Sequence, residues 1–103
     1  MIEQPDKTAM YFITTVCKDF DHQTMRCVGY YQNFDYAKDT LVTNQLDINE
    51  TIYNYAMIEK IRNGLYADDI IRWWFKFDYE KGIYEECETP EQYKNNPFPF
   101  SLR

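Results

Sequence analysis

The stretch IIRWWFKFDY, residues 70–79, decides the fold of this chain. Aromatic and β-branched residues fit the pleated, half-buried surface of a sheet, so the stretch predicts a long strand. Strand alternation separates its side chains into two faces. The face predicted to be core carries Ile71, Trp73, Phe75, Phe77 and Tyr79. The opposite face carries Ile70, Arg72, Trp74, Lys76 and Asp78.

Four further strands are predicted around this one, at residues 11–18, 24–31, 53–62 and 83–87. Short polar segments separate them, including the tight turns Asn63-Gly64 and Lys81-Gly82. Consecutive strands joined by short turns indicate a mainly antiparallel five-stranded sheet. The strand at 11–18 is apolar on both faces, which favours a central position in that sheet.

One helix is predicted between the second and third strands. Asn33 can cap it, its apolar side is Phe34, Ala37 and Leu41, and Asn44 is its stop. Asp47 with Glu50 is a weaker capping pattern for a turn or two.

A short C-terminal helix is also predicted, with Thr89 as cap and Pro90 at its first position. The predicted fold is therefore an α+β domain of order ββαβββα over residues 1–103. Its N-terminus, 1–8, is expected to be loose, and its tail, 96–103, extended.

Composition excludes several classes of function. The 103 residues suit one domain, and the formal net charge of −6 lacks the basic footprint of a nucleic-acid or anionic-membrane binder. No apolar stretch approaches the length of a membrane span, so we expect no membrane association. Three cysteines without a secretory pattern indicate a reducing, cytoplasmic compartment.

Cys17, His22, Cys27 and Cys87 are the candidates for metal or nucleophile chemistry. Their spacing differs from that of zinc sites, which usually bring paired cysteines two to four residues apart. No nucleophile motif accompanies a Cys–His pair. We therefore expect no enzyme activity, no catalytic residue, no metal and no cofactor.

The strongest binding candidate is Trp74 between Arg72 and Lys76, with Arg26 on the second strand as a further cation. An exposed or half-exposed indole beside cations can stack a base and pair with a phosphate. The alternative is a local cation–π cluster without a ligand. The tail adds Asn95, Phe98 and Arg103 as ligand candidates, or as simple edge packing.

A resemblance covers most of the chain. YFITTV (11–16), RCVGYY (26–31), FDYAKDTLVTN (34–44), YNYAMIEKI (53–61), NGLY (63–66) and RWWFKFD (72–78) are similar to segments of small proteins of Gram-positive bacteria and their phages. Among described families, the pattern most resembles the first Thoeris anti-defence protein family of phages. That resemblance implies a non-enzymatic sponge that acts in the host cell. It implies sequestration of cyclic ADP-ribose-type signals, or in some members cyclic oligonucleotides, at subunit interfaces.

Two functional hypotheses follow. The first is phage immune evasion by binding a small signalling nucleotide without turnover. The second is an acidic protein–protein inhibitor that binds the basic surface of a nucleic-acid-binding defence enzyme, in which Asp68, Asp69, Glu85 and Glu86 would matter. A homo-oligomer, most simply a dimer, is expected because the chain carries more aromatic surface than one small core needs.

Overall fold

An antiparallel five-stranded sheet forms the body of the molecule. The computed structural model describes residues 9–18, 23–50, 52–62 and 70–94. Five strands span β1 (Ala9–Lys18), β2 (Gln23–Tyr31), β3 (Tyr55–Arg62), β4 (Ile71–Asp78) and β5 (Ile83–Cys87). Their order across the sheet is β2-β1-β3-β4-β5, and each neighbouring pair is antiparallel. The predicted α+β class, the antiparallel sheet and the interior position of β1 are confirmed.

A single α-helix, α1 (Phe34–Val42), follows β2 within the described residues and packs on one face of the sheet. The predicted cap is confirmed, because the Asn33 side chain accepts hydrogen bonds from the backbone N–H groups of Asp35 (2.7 Å) and Tyr36 (3.2 Å). Thr43 closes the helix, and the next residue, Asn44, adopts the left-handed conformation (φ 51°, ψ 46°) that commonly ends helices.

The main core lies between α1 and the sheet. Its buried members are Ile13, Ala37, Leu41, Ala56, Ile58, Phe75, Phe77 and Tyr84. The Tyr84 hydroxyl donates a 2.7 Å hydrogen bond to the Tyr53 carbonyl, which ties β5 to the segment before β3.

The predicted core stripe of β4 is confirmed in its middle and wrong at its ends, because Ile71 and Tyr79 are exposed. A nine-residue helix is about 14 Å long, whereas an eight-residue strand spans about 26 Å. The helix therefore leaves the strand ends uncovered.

The connection from α1 to β3 has an unusual backbone. A 3-10 turn spans Gln45–Asp47, and four non-glycine residues between positions 44 and 50 have positive φ: Asn44, Leu46, Asp47 and Glu50. Asn49, which is buried, donates its backbone N–H to the Asn44 side chain at 3.0 Å. The predicted turn of helix after Asp47 is thus replaced by a left-handed loop held by its own asparagines.

The chain after β5 turns back onto the sheet. A single 3-10 turn spans Glu91–Tyr93, with Pro90 in the capping position and no side-chain capping bond. The prediction that Thr89 caps a helix here is wrong, because Pro90 (φ −58°, ψ 141°) is extended rather than helical. The predicted loose N-terminus, 1–8, and extended tail, 96–103, lie outside the described residues.

Candidate functional site

The predicted binding residues of β4 lie on the sheet face opposite α1. Arg72, Trp74 and Lys76 stand across from Glu59, Met57 and Tyr55 of β3, in that order. The three side chains share this face, as the alternation predicts. Their environments nevertheless differ from the predicted open nucleotide platform.

Trp74 is buried, with 2% of its surface exposed. Its ring is stacked on Tyr93, with 5.2 Å between ring centroids and 9° between planes, and packs in a cluster with Val16 and Met57. The prediction of an exposed or half-exposed indole is therefore wrong. The cause is the returning segment after β5, which places Tyr93 where a stacked base would lie.

Arg72 forms a nearly buried ion pair. Its Nε donates to Oε2 of Glu59 at 2.6 Å, and the Glu59 side chain is completely inaccessible. A carboxylate buried to this extent needs a cationic partner, because an uncompensated charge inside a protein is strongly unfavourable. A phosphate at Arg72 would have to compete with that carboxylate.

Arg26 lies far from the other cations. Its backbone stands opposite Thr15, which in turn stands opposite Ala56 of the helix-side core, so Arg26 belongs to the helix face. Three strand spacings, roughly 14 Å, separate β2 from β4. The structure therefore does not bring Arg26 together with Arg72 and Lys76.

The Arg26 guanidinium has its own surroundings. It pairs with Glu50 at 2.6 Å and lies 5.0 Å from the centroid of the Tyr53 ring. The hydrogen bond to the Glu50 carboxylate raises the pKa of Arg26 above its usual value. The Arg26 side chain is half-exposed, Tyr53 is buried, and the ion pair with Glu50 ties β2 to the left-handed loop.

Lys76 is exposed and borders a shallow hollow of about 580 Å³ along the β4–β5 hairpin. We call this feature the acidic hollow. Four of its eight described lining residues are acidic: Asp78, Glu80, Glu85 and Glu86. Lys76 is the one cation among the described residues that line it. The hairpin brings the acids together because its turn reverses the chain between Asp78 and Ile83, which stand opposite each other.

Two of these carboxylates form exposed ion pairs. Lys81 approaches Glu85 at 3.1 Å, and Lys38 of α1 approaches Glu86 at 3.7 Å. The Asp78 carboxylate accepts backbone N–H groups from Glu80 (2.9 Å) and Lys81 (3.2 Å). The bond from Lys81 is the larger cause of a pKa for Asp78 below its usual 3.8. The Asp78 carboxylate therefore stays ionised around neutral pH.

The cysteines Cys17, Cys27 and Cys87 are free thiols. Burial raises the pKa of Cys87 above its usual value, an effect that neighbouring Lys76 partly opposes. A raised pKa reduces the thiolate fraction, so Cys87 lacks the activation of a nucleophile. Across the part of the chain that the structure describes, no group of three His, Cys, Asp or Glu side chains is placed to hold a metal ion.

Several predicted residues lie outside the described ranges, namely Asn95, Phe98 and Arg103 of the tail, His22, and Asp68 with Asp69. Their roles stay predictions. Within the described residues, no helix is long and apolar enough to cross a membrane. Comparison with protein-family models, curated proteins and solved structures finds no match for this chain. Function must therefore be inferred from the geometry of the molecule itself.

Proposed function

We propose that this protein is a non-enzymatic binding protein whose acidic hairpin engages the basic surface of a protein partner. The acidic hairpin comprises residues 78–88, from the end of β4 to the residue after β5. The observation that carries the proposal is the acidic hollow, whose lining includes four acidic residues and one lysine. Such a surface repels a phosphate and attracts lysine and arginine side chains.

The charge distribution supports a role in association. Residues 78–88 contain five acidic residues and one basic residue, Lys81, and the whole chain carries a net charge of −6. A surface of one sign steers a partner of opposite sign and accelerates encounter, an effect that salt screens. Exposed ion pairs contribute little to stability, so Glu85 and Glu86 can exchange Lys81 and Lys38 for cations of a partner at small cost.

The basic clefts of nucleic-acid enzymes are the surfaces that best complement such a hairpin. Those clefts are built to bind a polyanion, and an acidic protein surface can compete for the same cations. The resemblance to phage anti-defence proteins directs the proposal toward defence enzymes in the host cytoplasm. In this role the protein blocks its target by occupancy and performs no chemistry.

Sequestration of a signalling nucleotide is the second candidate function, and one observation favours it. Arg26 lies over the Tyr53 ring and remains half-exposed, an arrangement in which an arginine and an aromatic ring can hold a base and a phosphate. Glu50 already neutralises this arginine, and Trp74 is covered by Tyr93. Because of these contacts, we rank nucleotide sequestration below the acidic-inhibitor proposal.

Single charge reversals test the proposal. Glu85→Lys and Glu86→Lys alter the acidic hollow, whereas Glu91→Lys makes the same charge change at an exposed acid that pairs with Lys94 and does not line the hollow. The assay measures inhibition of purified nucleases with basic clefts at several salt concentrations. We expect each hollow variant to weaken inhibition about tenfold, while the Glu91 control retains it and added salt weakens the wild type.

The two candidates give opposite results in a parallel experiment. Calorimetry with cyclic ADP-ribose isomers and cyclic di- and trinucleotides measures nucleotide binding directly. Heat of binding that disappears in Arg26→Ala, together with no inhibition of any nuclease, would replace the acidic-inhibitor proposal with the second candidate. A nucleotide recovered in altered form would instead indicate an enzyme.

A further inference from the structure

The outer edge of β2 is an unpaired strand edge among the described residues. β2 lies at the end of the sheet, and its one partner among the described strands is β1. Its outward backbone N–H and C=O groups form a row that another strand can bind. Nine residues make it one of the longer strands of this sheet, so the row is extensive.

The two edges of the sheet differ in how they are protected. The opposite edge, β5, has five residues and carries Glu85 and Glu86 beside each other, the charged and short type of edge that resists pairing. β2 contains one charged residue, Arg26, which Glu50 neutralises. Its surface includes the exposed residues Cys27 and Tyr30. Charged side chains therefore disfavour pairing of another strand with β5, whereas β2 lacks this protection.

An extra residue in β2 restricts what can pair with it. Gly29 stands opposite Ile13 and Cys27 opposite Thr14, so Val28 is inserted between them. If a regular strand paired with β2, its side chains would lie on the same sheet faces as those of β2 on one side of Val28 and on the opposite faces on the other side. A second copy of β2 carries the same insertion and can remain in step throughout.

The matching register is specific. With the copies antiparallel and the two-fold axis between Val28 and Gly29, Cys27 stands opposite Tyr30 of the second copy. Cys27 and Tyr30 lie on the same sheet face as their β1 partners Thr14 and Phe12. The two residues that this register pairs across the interface therefore lie on the same face of the combined sheet.

The helix face agrees as well. Arg26 stands opposite Tyr31 of the second copy, and both belong to the α1 side of the sheet, since they pair with Thr15 and Tyr11. The pairing places an arginine beside a tyrosine ring and brings no like charges together.

We propose that two copies of this chain associate through their β2 edges into one continuous ten-stranded sheet, in the register that places Cys27 opposite Tyr30. The interface is isologous, so association closes at two copies. Pairing between β2 and β5 would instead be head-to-tail and would continue without closure.

A directed disulfide tests this register. Directly opposed residues of antiparallel strands lie about 4.5–5.5 Å apart between Cα atoms, within the range that a disulfide spans. In the variant Tyr30→Cys, with Cys17 and Cys87 replaced by Ala, mild oxidation should join Cys27 of one copy to the thiol introduced at position 30 of the other. The matched control is Tyr36→Cys in the same background, since Tyr36 of α1 is 68% exposed against 62% for Tyr30.

We expect light scattering to show twice the 12.6 kDa chain mass at micromolar concentration. Because a preformed pair holds its thiols at an effective concentration of order millimolar, the Tyr30→Cys variant should crosslink roughly a hundredfold faster than the control at about 10 µM protein. The double variant Cys27→Glu, Tyr30→Glu opposes like charges and should be monomeric, while Cys27→Lys, Tyr30→Glu should restore the dimer.

Two results would overturn the proposal. One is a single 12.6 kDa species up to about 100 µM with equally slow crosslinking of both variants. The other is a dimer that crosslinks equally in both cysteine variants and survives the double glutamate substitution, which would assign the interface to another surface.

Discussion

Replacing Leu46 by glycine should stabilise the protein. Leu46 has φ 55° and ψ 24°, a left-handed conformation, and 98% of its surface is exposed. A left-handed conformation costs a residue with a Cβ about 1–2 kcal/mol, which glycine avoids. The side chain buries almost nothing, so its removal forfeits little hydrophobic free energy.

The opposing effect is the larger conformational freedom of glycine in the unfolded chain, about 0.4–1 kcal/mol. Taking the middle of each range, the difference leaves a net stabilisation of about 0.5–1 kcal/mol. For a urea slope of about 1.5 kcal/mol per molar, the unfolding midpoint should rise by roughly 0.3–0.7 M. Tryptophan fluorescence reports the transition, because Trp74 is buried in the native state.

Leu46→Ala is the matched control. Alanine keeps the Cβ and hence the backbone strain, while it removes the rest of the exposed side chain. Its free energy of unfolding should stay within about 0.5 kcal/mol of the wild type. A Leu46→Gly variant that is less stable than the wild type, or no more stable than Leu46→Ala, would refute the strain argument.

Three further predictions concern stability. Arg72→Ala should lower the free energy of unfolding by about 3–5 kcal/mol, since it leaves the buried Glu59 carboxylate without its guanidinium. Urea titrations should show that adding Glu59→Gln to this variant recovers part of the loss. Tyr93→Ala should cost about 3 kcal/mol and open Trp74 to acrylamide quenching, and an indole that stays shielded would contradict the stacking. Asp78 has a folded pKa below its usual 3.8, so its ionised carboxylate contributes to the free energy of unfolding above that pH, and the contribution is lost as the pH falls through the folded pKa. Asp78→Asn should therefore reduce the loss of stability measured between about pH 5 and about pH 3, and a loss equal to that of the wild type would argue against the contribution.

Local patterns predicted most of the sheet and helix. The aromatic alternation of β4 placed Phe75 and Phe77 in the helix-side core, and the residues predicted for β5, 83–87, match the structure. The Asn33 cap was also predictable, since its hydrogen bonds reach only two and three residues along the chain. Each of these features depends on neighbouring residues alone.

Features that depend on distant residues were not predictable in this way. Alternation places Trp74 on the second face but carries no information about Tyr93, nineteen positions later, which covers it. Glu59 is an ordinary strand acid until its cross-strand neighbour Arg72 is known.

The shape of the acidic hollow also could not be predicted from the sequence. Its carboxylates were visible in the sequence, but the concave shape requires the hairpin geometry. Adjacent acids in sequence therefore predicted a charged face and did not predict a hollow.

The placement of β2 and β5 at opposite edges of one sheet has a consequence for avidity. In the proposed dimer, nine strand spacings of about 4.8 Å put the two β5 edges roughly 43 Å apart. Each edge carries its own acidic hairpin, so the assembly is bivalent, with two equivalent anionic ends joined by a rigid span. A target that presents two basic surfaces at this separation would be held at both ends, and its second contact would form at a high effective concentration.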